Sequence, residues 1–212
     1  MRSSAVWRYG GRAVGLLGAL LTAVPPNRLS AQVSLHLSAG ARYTSTLVHD
    51  SIVTPFDVRP ALAPALALRV ATPLDQRWSA DATLDLSWSA LERHERDGTS
   101  VDLGNLTTLA FAVGLRRWLA AGFSARAGIG GLKYLPAEES GVFRQGSGTL
   151  SALGTLGMAY APRFGARHSL ALEARYDLHR FITPALRSEG FTESRIVHRV
   201  TVFVSAGLGT AP

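Results

Sequence analysis

Apolar and polar residues alternate one by one over long stretches of the chain that follow its first 32 residues. The clearest stretch is 78–90. Leu84 and Leu86 belong to its set of alternate apolar positions, and Asp81 and Asp85 belong to the polar positions between them. Successive side chains of a β-strand point to opposite faces, whereas a helix would scatter both classes around its axis. The pattern therefore predicts a strand with one apolar face and one polar face.

The same alternation recurs along the rest of the chain and predicts eight strands. The segments are 33–47, 61–71, 78–90, 105–116, 121–134, 148–161, 168–180 and 195–208. Each is about as long as a strand that crosses a membrane in a barrel. After the first 32 positions no second long apolar run follows, and a transmembrane helix would need about 20 such residues.

The connections between these segments alternate in length. The short ones are 72–77, 117–120 and 162–167, and the longer polar ones are 48–60, 91–104, 135–147 and 181–194. A soluble barrel has no reason to separate short turns from long loops. The fold class predicted is therefore all-β: a closed, antiparallel, eight-stranded transmembrane β-barrel with short periplasmic turns and four longer extracellular loops.

The apolar face is the one expected to meet lipid, because its aromatic residues lie near the strand ends. Trp78 and Trp88 share that face and are ten residues apart. At about 3.3 Å per residue and a strand tilt near 45°, this spacing corresponds to roughly 23 Å along the barrel axis. Aromatic rings with a polar edge prefer the two membrane interfaces. One belt, near the short turns, is predicted to contain Trp118, Phe123, Tyr160 and Phe164, and the other, near the long loops, Tyr43, Trp88, Tyr134, Tyr176 and Phe181.

The polar face carries charges of both signs, and a dry interior tolerates charges only when they are paired. Eight strands leave a lumen just wide enough for side chains to fill. We therefore expect opposite charges to pair across the lumen and close it to ions, with small residues making room for the arginines. The carboxylates are Asp81, Asp85, Glu173 and Asp177, and the arginines are Arg42, Arg69, Arg126, Arg175 and Arg199.

The first 32 residues have the three parts of a secretory signal peptide. Arginines give a positive start, residues 13–24 form an uncharged apolar run, and two prolines end that run. Ser30 and Ala31 then offer a small-residue cleavage site. The sequence therefore divides into a signal peptide, 1–32, and an outer-membrane β-barrel, 33–212.

Composition and charge narrow the classes of function. The chain has no cysteine, which removes disulfides, zinc–thiolate sites, iron–sulfur clusters and thiol catalysis. Its formal net charge is +7, but Arg2, Arg8, Arg12 and Arg28 supply four of these charges, so cleavage of the signal peptide leaves +3. We therefore expect no nucleic-acid partner.

Features that suggest catalysis or ligand binding also have simpler explanations. The glycines of residues 128–131 lack the helix and the Lys-Ser/Thr pair of a phosphate loop, so they indicate close strand packing. His179 and Asp177 share an inward face, but no serine in a supporting motif accompanies them. The six histidines show no metal-ligand spacing. We expect no catalytic residue, no cofactor, no metal and no enzyme activity.

A signal peptide followed by eight alternating strands resembles the small outer-membrane β-barrel proteins of Gram-negative bacteria, over the whole of residues 33–212. The resemblance implies an outer-membrane location and contact with outer-membrane lipids. Three functions stay open. The preferred one is a structural or surface-interaction protein, whose ligand would meet the loops 48–60, 91–104, 135–147 and 181–194. The others are a small pore or transporter for small or apolar molecules, and an outer-membrane hydrolase that acts on lipid or peptide.

Overall fold

The computed structural model describes residues 33–50, 56–139, 141–146, 150–162, 170–191 and 194–207. The predicted signal peptide, residues 1–32, lies outside the described residues, and so do parts of several connections. In the described part, antiparallel β-sheet dominates the regular structure, as the alternation predicts.

Among the described residues, ten strands form one sheet. They are β1 (Ser34–Thr44), β2 (Val48–Asp50), β3 (Phe56–Pro60), β4 (Ala63–Pro73), β5 (Trp78–Glu95), β6 (Ser100–Trp118), β7 (Phe123–Pro136), β8 (Ser151–Tyr160), β9 (Leu170–Phe181) and β10 (Arg195–Gly207). Eight of them close a ring in the order β1, β4, β5, β6, β7, β8, β9, β10 and back to β1. Strands β2 and β3 lie beyond the ring, where β3 pairs with the last residues of β5. The predicted eight-stranded barrel is confirmed.

Closure of the ring depends on the pairing of the first strand with the last. Strands β1 and β10 are antiparallel, with Ala39 opposite Val204 and Tyr43 opposite Val200. A closed sheet leaves no strand edge, so backbone groups at the depth of a bilayer find their partners within the sheet.

The two ends of the barrel differ in their connections. At one end, the turn end, β1 begins, β10 ends and short turns join β4 to β5 and β6 to β7. In the β6–β7 turn, Gly122 has a φ of +84°, and a Cβ there would lie 2.6 Å from the carbonyl oxygen of Ala161. Only glycine suits this position. At the other end, the loop end, the chain continues beyond the ring.

Two of the predicted loops consist largely of strand. In 91–104, which the sequence predicts as a longer connection, β5 runs to Glu95 and β6 begins at Ser100, so only residues 96–99 lie outside the strands. Likewise, 48–60 contains the β2–β3 hairpin. Beyond the membrane no lipid meets the outer face of a hairpin, so its outward positions need not be apolar, and the sequence loses the alternation that marks the other strands.

Local hydrogen bonds fix the tip of the β5–β6 hairpin. Thr99 donates its hydroxyl (2.7 Å) and its backbone N–H (2.9 Å) to Oδ1 of Asp97. These bonds favour the ionised carboxylate and lower the pKa of Asp97. Gly98 lies between the two residues with a φ of +88°, which is a conformation that favours glycine.

The other two loops hold short helical turns that pack together at the loop end. They are a 3-10 turn, Gly141–Phe143, and a helix, α1, Pro184–Ser188. Thr183 caps α1 by accepting the backbone N–H of Leu186 (3.3 Å), and its hydroxyl donates to the carbonyl of Val142 (2.6 Å). Within the described residues, no helix is both long and apolar enough to cross a bilayer.

Along the strands of the ring, the alternate residues predicted to be apolar face outward and those predicted to be polar face inward. Leu84 exposes 48 % of its surface, whereas Asp85 beside it exposes 4 %. The same division holds on β10, where Val202 is exposed and Thr201 is buried.

Most aromatic residues of the two predicted belts face outward, but two do not. The outward ones are Tyr43, Trp78, Trp88, Trp118, Phe123, Tyr160 and Tyr176. Phe164 lies outside the described residues. Tyr134 and Phe181, which were predicted for the belt near the loops, each expose only 3 % and lie inside, so this prediction is wrong for them. Both occupy inward positions at the level where the interior becomes apolar.

Candidate functional site

Two groups of charged side chains fill the polar part of the barrel interior. The lower group, nearer the turn end, contains Arg69, Arg116, Arg126, Asp81 and Glu173. Nη2 of Arg116 lies 2.7 Å from Oε2 of Glu173, and Nη1 of Arg69 lies 3.0 Å from the same oxygen. Nη2 of Arg126 lies 2.6 Å from Oδ1 of Asp81. The partners of Glu173 come from strands that are not its neighbours in the ring, so these ion pairs cross the lumen.

The upper group contains Arg42, Arg175, Arg199, Asp85 and Asp177. Asp85 is its centre: Arg42 donates to Oδ1 (2.9 Å) and Arg175 donates to Oδ2. Nη2 of Arg199 lies 3.6 Å from Oδ1 of Asp85, and Nε of Arg175 lies 3.2 Å from Oδ1 of Asp177. All nine charged residues predicted to point inward lie in one of the two groups. The predicted charge pairing in the lumen is therefore confirmed.

Hydroxyl groups complete the upper group. Nε of Arg42 donates to Thr201 (2.8 Å), and its Nη1 donates to Ser87 (3.1 Å). The hydroxyls of Ser87 and Thr108 are 2.7 Å apart and share a hydrogen bond. Neutral donors and acceptors thus hold the guanidinium of Arg42 in one orientation beside Asp85.

Small residues make room for the long arginines, as predicted. A Cβ on Gly114 would lie 3.1 Å from Nη2 of Arg126 and 2.7 Å from the carbonyl oxygen of Ala127. A Cβ on Gly157 would lie 3.8 Å from the Cβ of Arg126 and 3.8 Å from Oε1 of Glu173. A larger residue at Gly114 would displace the lower group.

Above the upper group the interior becomes apolar. We call the buried residues at this level the apolar cap. They are Leu47, Val48, Val58, Leu91, Leu106, Leu132, Tyr134, Phe143, Leu153, Phe181, Leu186 and Val197. Phe143 comes from the 3-10 turn and Leu186 from α1, so the folded loops supply part of the cap. Burial of these side chains excludes water from the loop end of the lumen.

Tyr134 and His179 lie between the cap and the charges. The hydroxyl of Tyr134 is 2.6 Å from Nε2 of His179. The ring of Tyr134 meets that of Phe181 edge to face, with centroids 5.2 Å apart. A tyrosine suits this boundary, because its hydroxyl forms a hydrogen bond while its apolar ring packs within the cap.

His179 and Asp177, which share an inward face, have different partners in the structure. His179 bonds to Tyr134, and Asp177 faces an arginine. Elsewhere Nε2 of His36 lies 3.2 Å from the hydroxyl of Ser34, but this hydroxyl also donates to a backbone carbonyl. Within the described residues, no three histidine or carboxylate side chains are placed to hold a metal ion.

Sequence reasoning missed two parts of the interior. Arg116 has the inward parity, but its role as the partner of Glu173 depends on the stagger of the strands, which alternation does not reveal. The apolar cap was also missed. Leu153 interrupts the alternation of segment 148–161, and this interruption was the available signal, because Leu153 is buried in the cap.

Comparisons with known proteins concern the fold. No protein-family model matches the chain, and no curated protein matches its sequence. The structure of the outer membrane protein AlkL in DMPC bilayers is similar, with a TM-score of 0.51 and 10 % identity over 89 % of this chain and 97 % of AlkL. The chain has the fold of the small outer-membrane β-barrels.

Two other outer-membrane barrels are similar over nearly their whole length. Ail of Yersinia pestis, solved with the heparin analogue sucrose octasulfate, has a TM-score of 0.47 and 11 % identity over 84 % of this chain and 98 % of Ail. OprG of Pseudomonas aeruginosa has a TM-score of 0.44 and 10 % identity over 84 % and 95 %. The similarity to AlkL confirms the predicted resemblance in fold to the small outer-membrane barrels.

Proposed function

We propose that the protein is a closed outer-membrane barrel that anchors an ordered surface at its loop end and serves in surface interaction. The closed interior carries this proposal. Two charge groups fill the lumen, and the apolar cap covers them, with Leu132 and Val197 fully buried in it. A barrel with a filled interior has only its outer wall and its loops to offer a partner.

The loop-end surface is held in place by contacts between its parts. Arg144 beside the 3-10 turn forms an ion pair with Glu189 at the end of α1 (2.9 Å). The guanidinium of Arg93 lies over the ring of Phe56, 4.3 Å from its centroid, and so joins β5 to β3. Such exposed contacts are individually weak, but they order the surface before binding and so reduce the entropy lost when a partner docks.

The outer wall supports contact with outer-membrane lipids. Leucines and valines face outward between the two aromatic belts. At the turn end, the guanidinium of Arg117 lies over the ring of Trp78, 5.5 Å from its centroid. At the depth of this aromatic belt, the guanidinium of Arg117 can contact lipid phosphates, while the ring of Trp78 reaches the hydrocarbon.

Transport and hydrolysis have less support from the geometry. A pore needs a continuous wet path, and this path would have to cross Asp177 and Thr201, which expose no surface, and then the apolar cap. A serine hydrolase needs a nucleophile, a base and an orienting acid. The contact between Ser34 and His36 supplies no third group among the described residues.

Surface labelling of cells tests the direction of the loop-end surface. The chain has no cysteine, so single-cysteine variants are uniquely reactive. Arg96→Cys, at the exposed tip of the β5–β6 hairpin, is expected to react with a membrane-impermeant maleimide on intact cells. Ala120→Cys, exposed in a short turn at the opposite end, is expected to react only after lysis. The reverse pattern would contradict the proposed surface role.

We also propose that the chain is processed near Ala31, since its first 32 residues have the form of a signal peptide. The intact mass of protein isolated from the outer-membrane fraction is expected to correspond to a chain without those residues. Recovery of protein that begins at Met1 would rule out the cleavage.

A further inference from the structure

The charged part of the interior contains more positive than negative side chains. Among the described residues, six arginines and four carboxylates point into it. The lower and upper groups each contain three arginines and two carboxylates, so each has one positive charge in excess. Lipid surrounds the wall and the apolar cap covers the loop end, so water screens this excess poorly.

In the lower group every guanidinium donates to a carboxylate. Arg69 and Arg116 donate to the same oxygen of Glu173, and Arg126 donates to both oxygens of Asp81. The excess charge of this group is therefore shared among guanidiniums that each have a carboxylate partner, although Nε of Arg69 and Nε of Arg116 have no acceptor among the described residues.

In the upper group the excess falls on Arg199. This side chain is about 1 % exposed, and none of its three guanidinium nitrogens has a hydrogen-bond acceptor among the described residues. Asp85, which it faces at 3.6 Å, is beyond hydrogen-bond distance and already accepts from Arg42 and Arg175. A buried guanidinium without acceptors is costly.

Two further donors lie near Arg199. Nη2 of Arg42 has no acceptor in the described part of the chain. When the hydroxyl of Tyr134 donates to Nε2 of His179, the imidazole carries its hydrogen on Nδ1, and Nδ1 has no acceptor there either. Arg42 and Arg199 lie on the paired strands β1 and β10, and His179 lies on β9, which pairs with β10.

Asp177 does not remove the excess charge. It lies opposite Arg199 in the β9–β10 register, and its oxygens accept no hydrogen bond from the described residues. Even if these two side chains paired, the group would hold three guanidiniums against two carboxylates, so one positive charge would stay unbalanced.

We propose that a small monovalent anion, a halide such as chloride, binds among Arg199, Arg42 and His179 and balances the upper group. Guanidinium and imidazole N–H groups both donate to anions, and a single atom suits a lumen that is filled by side chains. The site goes beyond the surface role and does not depend on it.

Unfolding in urea at constant ionic strength, with bromide replacing gluconate, tests this site. An anion that binds only the folded barrel multiplies the ratio of folded to unfolded protein by 1 + [Br⁻]/Kd, or about 100-fold at a hundred times Kd. We expect this gain for the wild type and for Arg117→Met, which removes an outward cation. We expect no gain for Arg199→Met. Absence of the gain in the wild type, or an equal gain in Arg199→Met, would overturn the proposal.

Crystals of the wild type grown in bromide give a second test that needs no folded variant. The proposal predicts an anomalous peak in contact with the guanidinium of Arg199. Density there without anomalous signal would identify water as the acceptor and would overturn the proposal.

Discussion

Replacement of Glu173 by alanine is expected to lower the free energy of unfolding by about 3–5 kcal/mol. Glu173 accepts hydrogen bonds from Arg116 and Arg69 inside the barrel. Removal of this carboxylate leaves two buried guanidiniums without their main partner, and an uncompensated buried charge is costly. Urea unfolding from lipid vesicles, followed by tryptophan fluorescence, measures the change.

Two control variants separate the lumen charge from other effects. Glu139 is exposed in a connection at the loop end, and Glu139→Ala is expected to change the free energy of unfolding by at most about 0.5 kcal/mol. Glu173→Gln keeps the shape but removes the charge, so we expect a loss close to that of Glu173→Ala. Equal stability of Glu173→Ala and Glu139→Ala would contradict the ion pairs in the lumen.

Leu84→Arg is expected to cost about 2–4 kcal/mol of unfolding free energy. Leu84 is exposed on the outer wall, and it lies about midway between Trp78 and Trp88 of the same strand. An arginine there would meet the hydrocarbon of the bilayer, where its charge loses hydration and finds no counter-charge. Unfolding from vesicles measures this cost as well.

The matched control is Leu135→Arg. Leu135 also faces outward, but it lies at the loop end of β7, one residue before the strand ends. Arginine near the interface reaches headgroups and water, so the expected cost is about 0–1 kcal/mol. If Leu84→Arg and Leu135→Arg lower the free energy of unfolding by the same amount, this would contradict the placement of Leu84 in the hydrocarbon and Leu135 near the interface.

The strands and their faces could be predicted because lipid and lumen impose opposite polarity on alternate residues. Leu84 and Asp85 are neighbours in sequence, yet one meets lipid and the other a cluster of arginines. The signal ends where the membrane ends. Residues 91–95 and 100–104 are strand, but no lipid meets their outer face, all of them except Leu91 are exposed or half-buried, and no alternation marks them.

The interior could be predicted only in part. Parity identifies Arg42 and Asp85 as inward, and it also assigns Tyr134 and Phe181 to the interior, although their positions near strand ends suggested a belt. The choice of partners depends on how far neighbouring strands are staggered around the ring. The pairing of Arg116 with Glu173 across the lumen follows from that stagger, which no local pattern encodes.

The conductance of purified, refolded protein in a planar lipid bilayer shows directly whether the charge groups and the apolar cap close the barrel. We expect the membrane to conduct no more than a protein-free bilayer, with folding of the protein verified by the heat-modifiable migration of the barrel in gels. Stable channels of nanosiemens size from the wild-type protein would contradict it, because a filled lumen has no continuous path for ions.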